Sequence, residues 1–196
     1  MKRISIIIFL TFQSIFLFSQ KIEFIKMKVN GFGETAEKYF GKVDAESAKQ
    51  YIVDKFNEVD ESKDSTNIFY RTQMIMLCDE YLKKYREVIN PDGSSSMVLY
   101  LMRSSIENIK AACYYKKAQI KVDNGDFRGG VDDLSEAILV NRGMESFNNN
   151  LCISLSFRGW CFLKLNERDR ACKDWREAIN LGDTLSIENV KNYCQY

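Results

Sequence analysis

The chain of 196 residues contains no histidine. This absence excludes Ser-His and Cys-His nucleophilic pairs, zincin motifs and sites in which histidine binds a metal. No GxxxxGK[ST] or GxGxxG segment is present either, which excludes the phosphate-binding loops of those two types. We therefore predict that the protein is not an enzyme, with no catalytic residues, no metal site and no cofactor. An unusual enzyme based on lysine or carboxylate chemistry stays open as the third of three hypotheses.

Proline is nearly absent as well, since Pro91 is the only one. Proline breaks helices from within, so its scarcity favours long helices over a sheet of short strands. Neither positive nor negative charge is in clear excess, since the chain has 28 basic and 27 acidic residues. That balance provides no long-range attraction to nucleic acid or to an acidic membrane surface. The sequence therefore predicts an all-α protein that does not bind nucleic acid.

Residues 1–20 have the pattern of a secretory signal peptide. Lys2 and Arg3 precede an apolar run, residues 4–18, and small and polar residues follow before Lys21. The run is shorter than the ~20 apolar residues that a membrane span prefers, which favours cleavage over an uncleaved anchor. We predict an exported protein, periplasmic or secreted, without a stable membrane span after cleavage.

Helical patterns cover most of the remaining chain. We predict one helix after the N-cap residue Asp44 and another over residues 68–89, stopped by residues 90–93. Residues 97–122 contain no breaker and form either one long helix or two abutting ones. Residues 183–196 are expected to form a C-terminal capping helix with one polar face. The mature chain thus has an N-terminal helical region, 21–96, which could be a degenerate repeat, and a second region, 97–196.

Two segments of the second region, 114–141 and 154–183, are similar at a period of 41 residues, the distance from Ala137 to Ala178. The matched pairs are Ala118 and Gly159, Gly130 and Ala171, Leu134 and Trp175, and Ala137 and Ala178. A repeated helix-turn-helix cannot bury its apolar face alone, so copies stack into a solenoid.

Both segments resemble tetratricopeptide repeats (TPRs), which are helical hairpins of about 34 residues. The resemblance rests on a small residue midway along the first helix and another at the start of the second. A large residue follows four positions later, and then Ala-Ile. In the first copy, residues 124–127 (Asn-Gly-Asp-Phe) also match the family's usual turn. The resemblance implies a solenoid of TPR-like hairpins that binds a protein or peptide in a concave groove lined by the first helix of each hairpin.

The groove positions implied by the resemblance come from both copies. They are Tyr115, Gln119 and Val122 in the first copy and Ser156, Trp160, Leu163 and Lys164 in the second, with Lys116 and Phe157 at the groove's edge. The family's carboxylate clamp uses paired Lys and Asn, whereas only Lys116 and Lys164 stand at these places here. Trp160 is the sharpest candidate for a binding anchor, and packing between hairpins is the alternative for it.

None of the six cysteines is spaced as CxxC, so a zinc site or a thioredoxin-like motif has little support. Export favours disulfides, and buried free thiols are the alternative. We predict a bridge between Cys172, early in the second helix of the last hairpin, and Cys194, late in the capping helix. Antiparallel packing of those helices would bring the two cysteines together.

The acidic residues of both copies are expected on solvated helix faces rather than in a catalytic carboxylate pair. They are Asp132, Asp133, Asp169 and Asp174. The leading hypothesis is therefore an exported scaffold that binds a protein or peptide in its groove. The second is a structural subunit of an envelope or secretion-associated assembly, held through its N-terminal helices.

Overall fold

The computed structural model describes residues 43–61, 68–85, 97–143 and 148–194, and in these ranges the chain is helical and contains no strand. The predicted all-α class is confirmed. The helices are α1 (Ala45–Glu61), α2 (Ile68–Lys84), α3 (Met97–Asp123), α4 (Phe127–Arg142), α5 (Asn148–Lys164), α6 (Arg168–Asn180) and α7 (Leu185–Tyr193). The chain divides into two units at Ala48, and the packing described below lies within Lys49–Tyr196. The predicted signal peptide lies outside the described residues.

Helix boundaries follow local signals in the sequence. The predicted N-cap of α1 is confirmed, because the Asp44 side chain accepts a hydrogen bond from the backbone N–H of Ser47 at 2.8 Å. Residues 97–122 lie in one continuous helix, α3. The prediction of one long helix is therefore confirmed, and that of two abutting helices is wrong. Helix α2 extends to Lys84 and helix α7 runs from Leu185 to Tyr193, and the last residues of the two predicted helices, 86–89 and 195–196, lie outside the described residues. No helix in the described part of the chain is both long and apolar enough to cross a membrane.

Helices α3 and α4 form one hairpin, α5 and α6 a second, and the two turns have the same geometry. Gly125 and Asn166, 41 residues apart, both adopt left-handed backbone conformations, with φ of 81° and 61°. The N–H of Gly125 donates to the carbonyl of Val122 at 2.9 Å, and that of Asn166 to the carbonyl of Leu163 at 3.0 Å. Glycine and asparagine adopt this helix-ending conformation at the lowest cost. The second turn therefore keeps the geometry of the first despite its different sequence.

One buried core joins the two hairpins. From α2 onward, each helix packs against its neighbour in the sequence. Trp175 on α6 is fully buried, and its indole N–H donates to the Ser156 carbonyl on α5 at 3.1 Å. A Cβ atom placed on Gly159 would lie only 2.7 Å from Trp175 Nε1. Helix α5 can therefore approach this indole only because residue 159 has no side chain. Ala118 and Leu134, the matching residues of the first hairpin, belong to the same core.

Two ion pairs are buried inside the hairpins, so the expectation that Asp133 and Asp174 face water is wrong. Arg158 on α5 donates two hydrogen bonds, of 2.7 and 2.8 Å, to Asp174 on α6, which is 3% exposed. Lys117 on α3 lies 3.2 Å from Asp133 on α4, which is 6% exposed. A buried carboxylate persists only with a compensating charge. Asp132 and Asp169 are exposed, as predicted.

Further polar contacts extend these ion pairs across the hairpins. Lys121 Nζ lies 2.7 Å from Asp133, so two ammonium groups on successive turns of α3 hold one carboxylate. Arg158 also donates to the hydroxyl of Ser135 on α4 at 3.0 Å. One guanidinium therefore connects α4, α5 and α6, and fixes the second hairpin against the first.

A disulfide joins α6 to the residue that follows α7. The Cys172–Cys194 bridge has a Cα–Cα distance of 5.7 Å, which confirms the predicted pairing. The ring of Tyr193, at the end of α7, lies 5.8 Å from the Trp175 ring. The Ser186 hydroxyl lies 3.0 Å from that of Ser156 on α5. Helix α7 thus covers one end of the core, and the bridge holds it there.

We predict that Gly159→Ala destabilises the protein although helix propensity alone favours alanine by about 1 kcal/mol. Overpacking against a fixed indole costs about 1–3 kcal/mol, which outweighs that gain. Gly159→Leu should be far more severe. In a Trp175→Leu background, Gly159→Ala should become neutral or stabilising. The double variant gives the second hairpin the same two residue types, alanine and leucine, that Ala118 and Leu134 provide in the first. A double-mutant cycle by urea denaturation measures this, and additive effects would contradict the proposed contact.

We predict that Asp133→Asn lowers the free energy of unfolding by about 3 kcal/mol, because it leaves two lysines without a counter-charge in a largely buried site. The adjacent Asp132→Asn is the matched control, since Asp132 is exposed. It should change stability by no more than about 0.5 kcal/mol. Chemical denaturation of both variants is the measurement. Equal effects would show that Asp133 carries no particular structural role.

We predict that reducing the Cys172–Cys194 bridge removes about 3 kcal/mol of stability, the chain-entropy value for a loop of this size. The loss should appear first as a change in Trp175 fluorescence, because Tyr193 and α7 cover that indole. The Cys172→Ser/Cys194→Ser variant should reproduce the reduced protein and not respond to reductant. Non-reducing peptide mapping tests the pairing itself, and free thiols at both positions would refute it.

Candidate functional site

Helices α3 and α5 lie side by side and share one face. The rings of Tyr115 on α3 and Phe157 on α5 are 5.6 Å apart, centroid to centroid. The side chain of Asn150 on α5 donates to that of Asn108 on α3 at 3.4 Å. We call this surface the α3–α5 face. It consists of Ala112, Tyr115, Lys116 and Gln119 on α3, and Ile153, Phe157, Trp160 and Lys164 on α5.

Helical spacing explains why these side chains are together. The α3 members recur every three or four residues, and so do the α5 members, which places each set along one side of its helix. Three positions of the two sets also match at the 41-residue period: Ala112 corresponds to Ile153, Lys116 to Phe157 and Gln119 to Trp160. Tyr115 and Lys164 correspond instead to Ser156 and to the exposed Asp123, so the two hairpins share most but not all positions of the face.

An aromatic cluster occupies the centre of this face. The Trp160 ring lies 6.3 Å from Phe157 and packs edge-on against Phe127, at 5.5 Å, where α4 begins. Lys164 Nζ lies 4.9 Å from the Trp160 centroid, within the range of a cation–π contact. Trp160 remains 36% exposed, so packing against its neighbours leaves part of the indole open to solvent.

Three of the groove positions implied by the resemblance lie elsewhere. Val122 and Leu163 are partly buried and pack against the core joining the hairpins. The Ser156 side chain points to Ser186 on α7. Gln119 is half-exposed on the face, and Lys116 and Lys164 are exposed there. The structure thus brings together Tyr115, Lys116, Gln119, Phe157, Trp160 and Lys164.

Sequence reasoning missed Phe127, Ile153 and Asn141 as members of the site or its surroundings. The sequence places Phe127 in the turn, although an aromatic residue at a hairpin turn can reach the neighbouring helix. Ile153 lies four residues before Phe157, so helical spacing would have found it. Asn141, near the end of α4, is 2% exposed and lines a cavity beneath the face. No sequence signal marks a polar residue as buried at that place.

The tyrosines and the buried carboxylates around the face stay uncharged or paired. Burial raises the pKa of Tyr115, so its hydroxyl keeps its proton at neutral pH. Burial, with the nearby carboxylate of Glu136, raises the pKa of Tyr114 to about 12. The acidic residues closest to the hairpin interior, Asp133 and Asp174, are held by lysine and arginine. The face therefore offers aromatic rings and lysine ammonium groups, and its charge is positive.

Four cysteines, Cys78, Cys113, Cys152 and Cys161, are free and buried. Burial raises the pKa of Cys113 to about 12 and that of Cys161 to about 11. Because the thiolate is the reactive species, such thiols are poor nucleophiles and poor metal ligands at neutral pH. Across the ranges that the structure describes, no group of three or more acidic or cysteine side chains is placed to hold a metal ion.

Comparison of the chain with known proteins leaves its family open. No protein-family model, no curated protein and no solved structure matches it. The resemblance to TPRs therefore rests on the residues of the two hairpins, and the site is interpreted from its own geometry.

Proposed function

We propose that the protein is an exported scaffold of TPR-like hairpins that binds a protein or peptide segment on its α3–α5 face. The observation that carries this proposal is the aromatic cluster of Tyr115, Phe157 and Trp160, which joins the two helices and leaves an indole partly exposed. Partly exposed tryptophan and tyrosine are the residues that most often anchor protein partners. In a TPR-like solenoid this face is the concave side of the stack.

Charge supports the same assignment. Lys116 and Lys164 are the exposed ionisable members of the face. Beneath the face, Arg158 and the carboxylates of Asp133 and Asp174 form ion pairs inside the hairpins. A partner segment that combines apolar side chains with carboxylates would therefore be complementary to the face. The face contains no set of converging acid and base groups of the kind that hydrolysis or proton transfer requires.

Export is part of the proposal. The N-terminal pattern of residues 1–20 supports it, as does the disulfide, which forms and persists in oxidising compartments. A scaffold in such a compartment would meet partners of the cell envelope or of the surroundings.

The second candidate, a structural subunit of an envelope or secretion-associated assembly, has its own supporting observation. Met97, Tyr100 and Leu101 open α3 on one helical side and are 69%, 45% and 60% exposed. This strip lies directly after the N-terminal region through which the candidate would be held, and an exposed apolar strip there suits contact with another subunit.

A random-peptide display selection against the purified protein tests the leading proposal. Selected peptides should lose affinity roughly thirtyfold or more in Trp160→Ala, the loss typical of a hot-spot residue. Leu139→Ala is the matched control, because Leu139 is 66% exposed on α4, outside the face, and should leave binding unchanged.

Both variants should keep the thermal stability of the parent protein within a few degrees, so that lost binding is not lost folding. If Trp160→Ala binds the selected peptides normally and Leu101→Ala does not, the second candidate replaces the first. If no peptide is enriched, the proposal of a peptide-binding face fails.

A further inference from the structure

A cavity of about 170 Å³ lies between α3 and α5, at the end of the face away from Lys164. Ala111, Ala112, Tyr115 and Lys116 line it from α3, Asn150, Ile153 and Ser154 from α5, and Asn141 from α4. Tyr115 also belongs to the aromatic cluster, since its ring contacts Phe157. The cavity is therefore continuous with the face that we propose as the partner-binding surface.

The size of the cavity limits its occupant to one ring. An apolar cavity of about 150 Å³ accommodates a benzene molecule. A cavity of about 170 Å³ therefore holds a single six-membered ring with one small substituent, and the two fused rings of an indole would extend beyond it. Most of its wall is apolar, formed by Ala111, Ala112 and Ile153, which favours a ring over a charged side chain.

Asn141 supplies the polar part of the site. Its side chain is almost wholly buried, and no donor in the described ranges reaches its Oδ1 atom. A buried acceptor without a donor costs free energy, which a ligand recovers if it brings an O–H or N–H group. The oxygen itself is covered, so it meets the ligand after rotation of the amide about the Cβ–Cγ bond, a torsion with broad minima.

Two neighbouring polar groups on α5 are already engaged, and Lys116, which also lines the cavity, is exposed. The Ser154 hydroxyl donates to the Asn150 carbonyl at 2.8 Å, and the Asn150 amide donates to the side chain of Asn108 at 3.4 Å. Asn141 Oδ1 is thus the buried acceptor without a donor, which an occupant satisfies once the amide has turned toward the cavity. A carboxylate could pair with the Lys116 ammonium but brings no donor for this oxygen, and phenylalanine or leucine would leave the oxygen unpaired.

We infer that this cavity is a pocket for the phenol ring of a tyrosine in the bound partner segment, with the phenol O–H donating to Asn141. The inference rests on the proposed function in that the tyrosine belongs to the partner of the α3–α5 face. The ring packs between the alanines of α3 and Ile153, and the hydroxyl reaches the polar end of the cavity. The adjoining residues of the segment then lie along the aromatic cluster.

Titration of the purified full chain with p-cresol, the side-chain analogue of tyrosine, tests the pocket directly. Chemical-shift changes in heteronuclear NMR spectra should be saturable and confined to residues around Ala112, Asn141 and Ile153. Toluene has the same ring without the hydroxyl, and should bind about tenfold more weakly because it leaves the acceptor unpaired. 3-Methylindole, the tryptophan analogue, should bind more weakly than p-cresol because of its size.

Asn141→Leu keeps the approximate volume and removes the acceptor, so p-cresol should lose its tenfold preference over toluene. This variant should fold at least as stably as the parent, since it replaces an unpaired buried polar group by an apolar one. Asn180→Leu, at the exposed end of α6, is the matched control and should keep the preference. Ala112→Leu, which fills the cavity from its wall, should abolish binding of both probes.

Equal affinities for p-cresol and toluene, unchanged preference in Asn141→Leu, tighter binding of 3-methylindole, or shifts at other residues would each overturn the inference. So would the absence of saturable binding at millimolar p-cresol. The small-molecule titration requires no partner segment. Its failure alongside Trp160-dependent peptide binding would therefore remove the tyrosine pocket and leave the proposed function in place.

Discussion

The close approach of the Trp175 indole to the backbone of α5 at Gly159 is the contact on which the second hairpin depends. It fixes which side of α5 faces the core. Gly159 and the Ser156 carbonyl face Trp175, so Phe157 and Trp160 are turned toward α3 and the outer surface. With about 100° between successive residues of a helix, the orientation of one residue determines that of all the others. The composition of the α3–α5 face is thus a consequence of a packing contact made in the core.

The buried ion pairs have a related effect on specificity. An apolar contact tolerates small rotations of one helix against another, whereas a guanidinium bound to a carboxylate through two hydrogen bonds tolerates few. Arg158 makes this contact with Asp174 and also binds Ser135 of the first hairpin. Rotation of α5 about its own axis would break all three hydrogen bonds. We therefore expect the buried ion pairs to contribute more to the specificity of the helix arrangement than to the net stability of the protein.

Much of the fold could be predicted from the sequence, and the failures have a physical cause. Helix α3, the hairpin turns and the Cys172–Cys194 bridge follow from local patterns and from the spacing of the two similar segments. The burial of Asp133 could not be inferred from its neighbourhood, because adjacent acidic residues are typical of a solvated helix face. The pattern that indicates this burial involves residues far apart in the sequence. A basic residue recurs at 117 and 158, and an acidic one at 133 and 174, both with the period of 41.

The candidate site was predicted less completely than the fold. Residues such as Tyr115 and Trp160 followed from the positions that a TPR-like hairpin presents. The cavity did not, because it exists only where three helices meet and the burial of Asn141 depends on all of them. Helical spacing specifies the side of a helix, but not the empty volume between helices.

The disulfide also determines how the molecule would carry a mechanical load. A pulling force applied at the C-terminus reaches Cys194 and passes through the sulfur atoms directly into α6. Helix α7 lies inside the closed loop and bears none of the force. The bridge spans a sequence separation of 22 residues, and at about 3.4 Å per extended residue it withholds roughly 75 Å of chain from extension. While the bridge is intact, tension at the C-terminus would act on the hairpin core before the tension could detach α7 from that core.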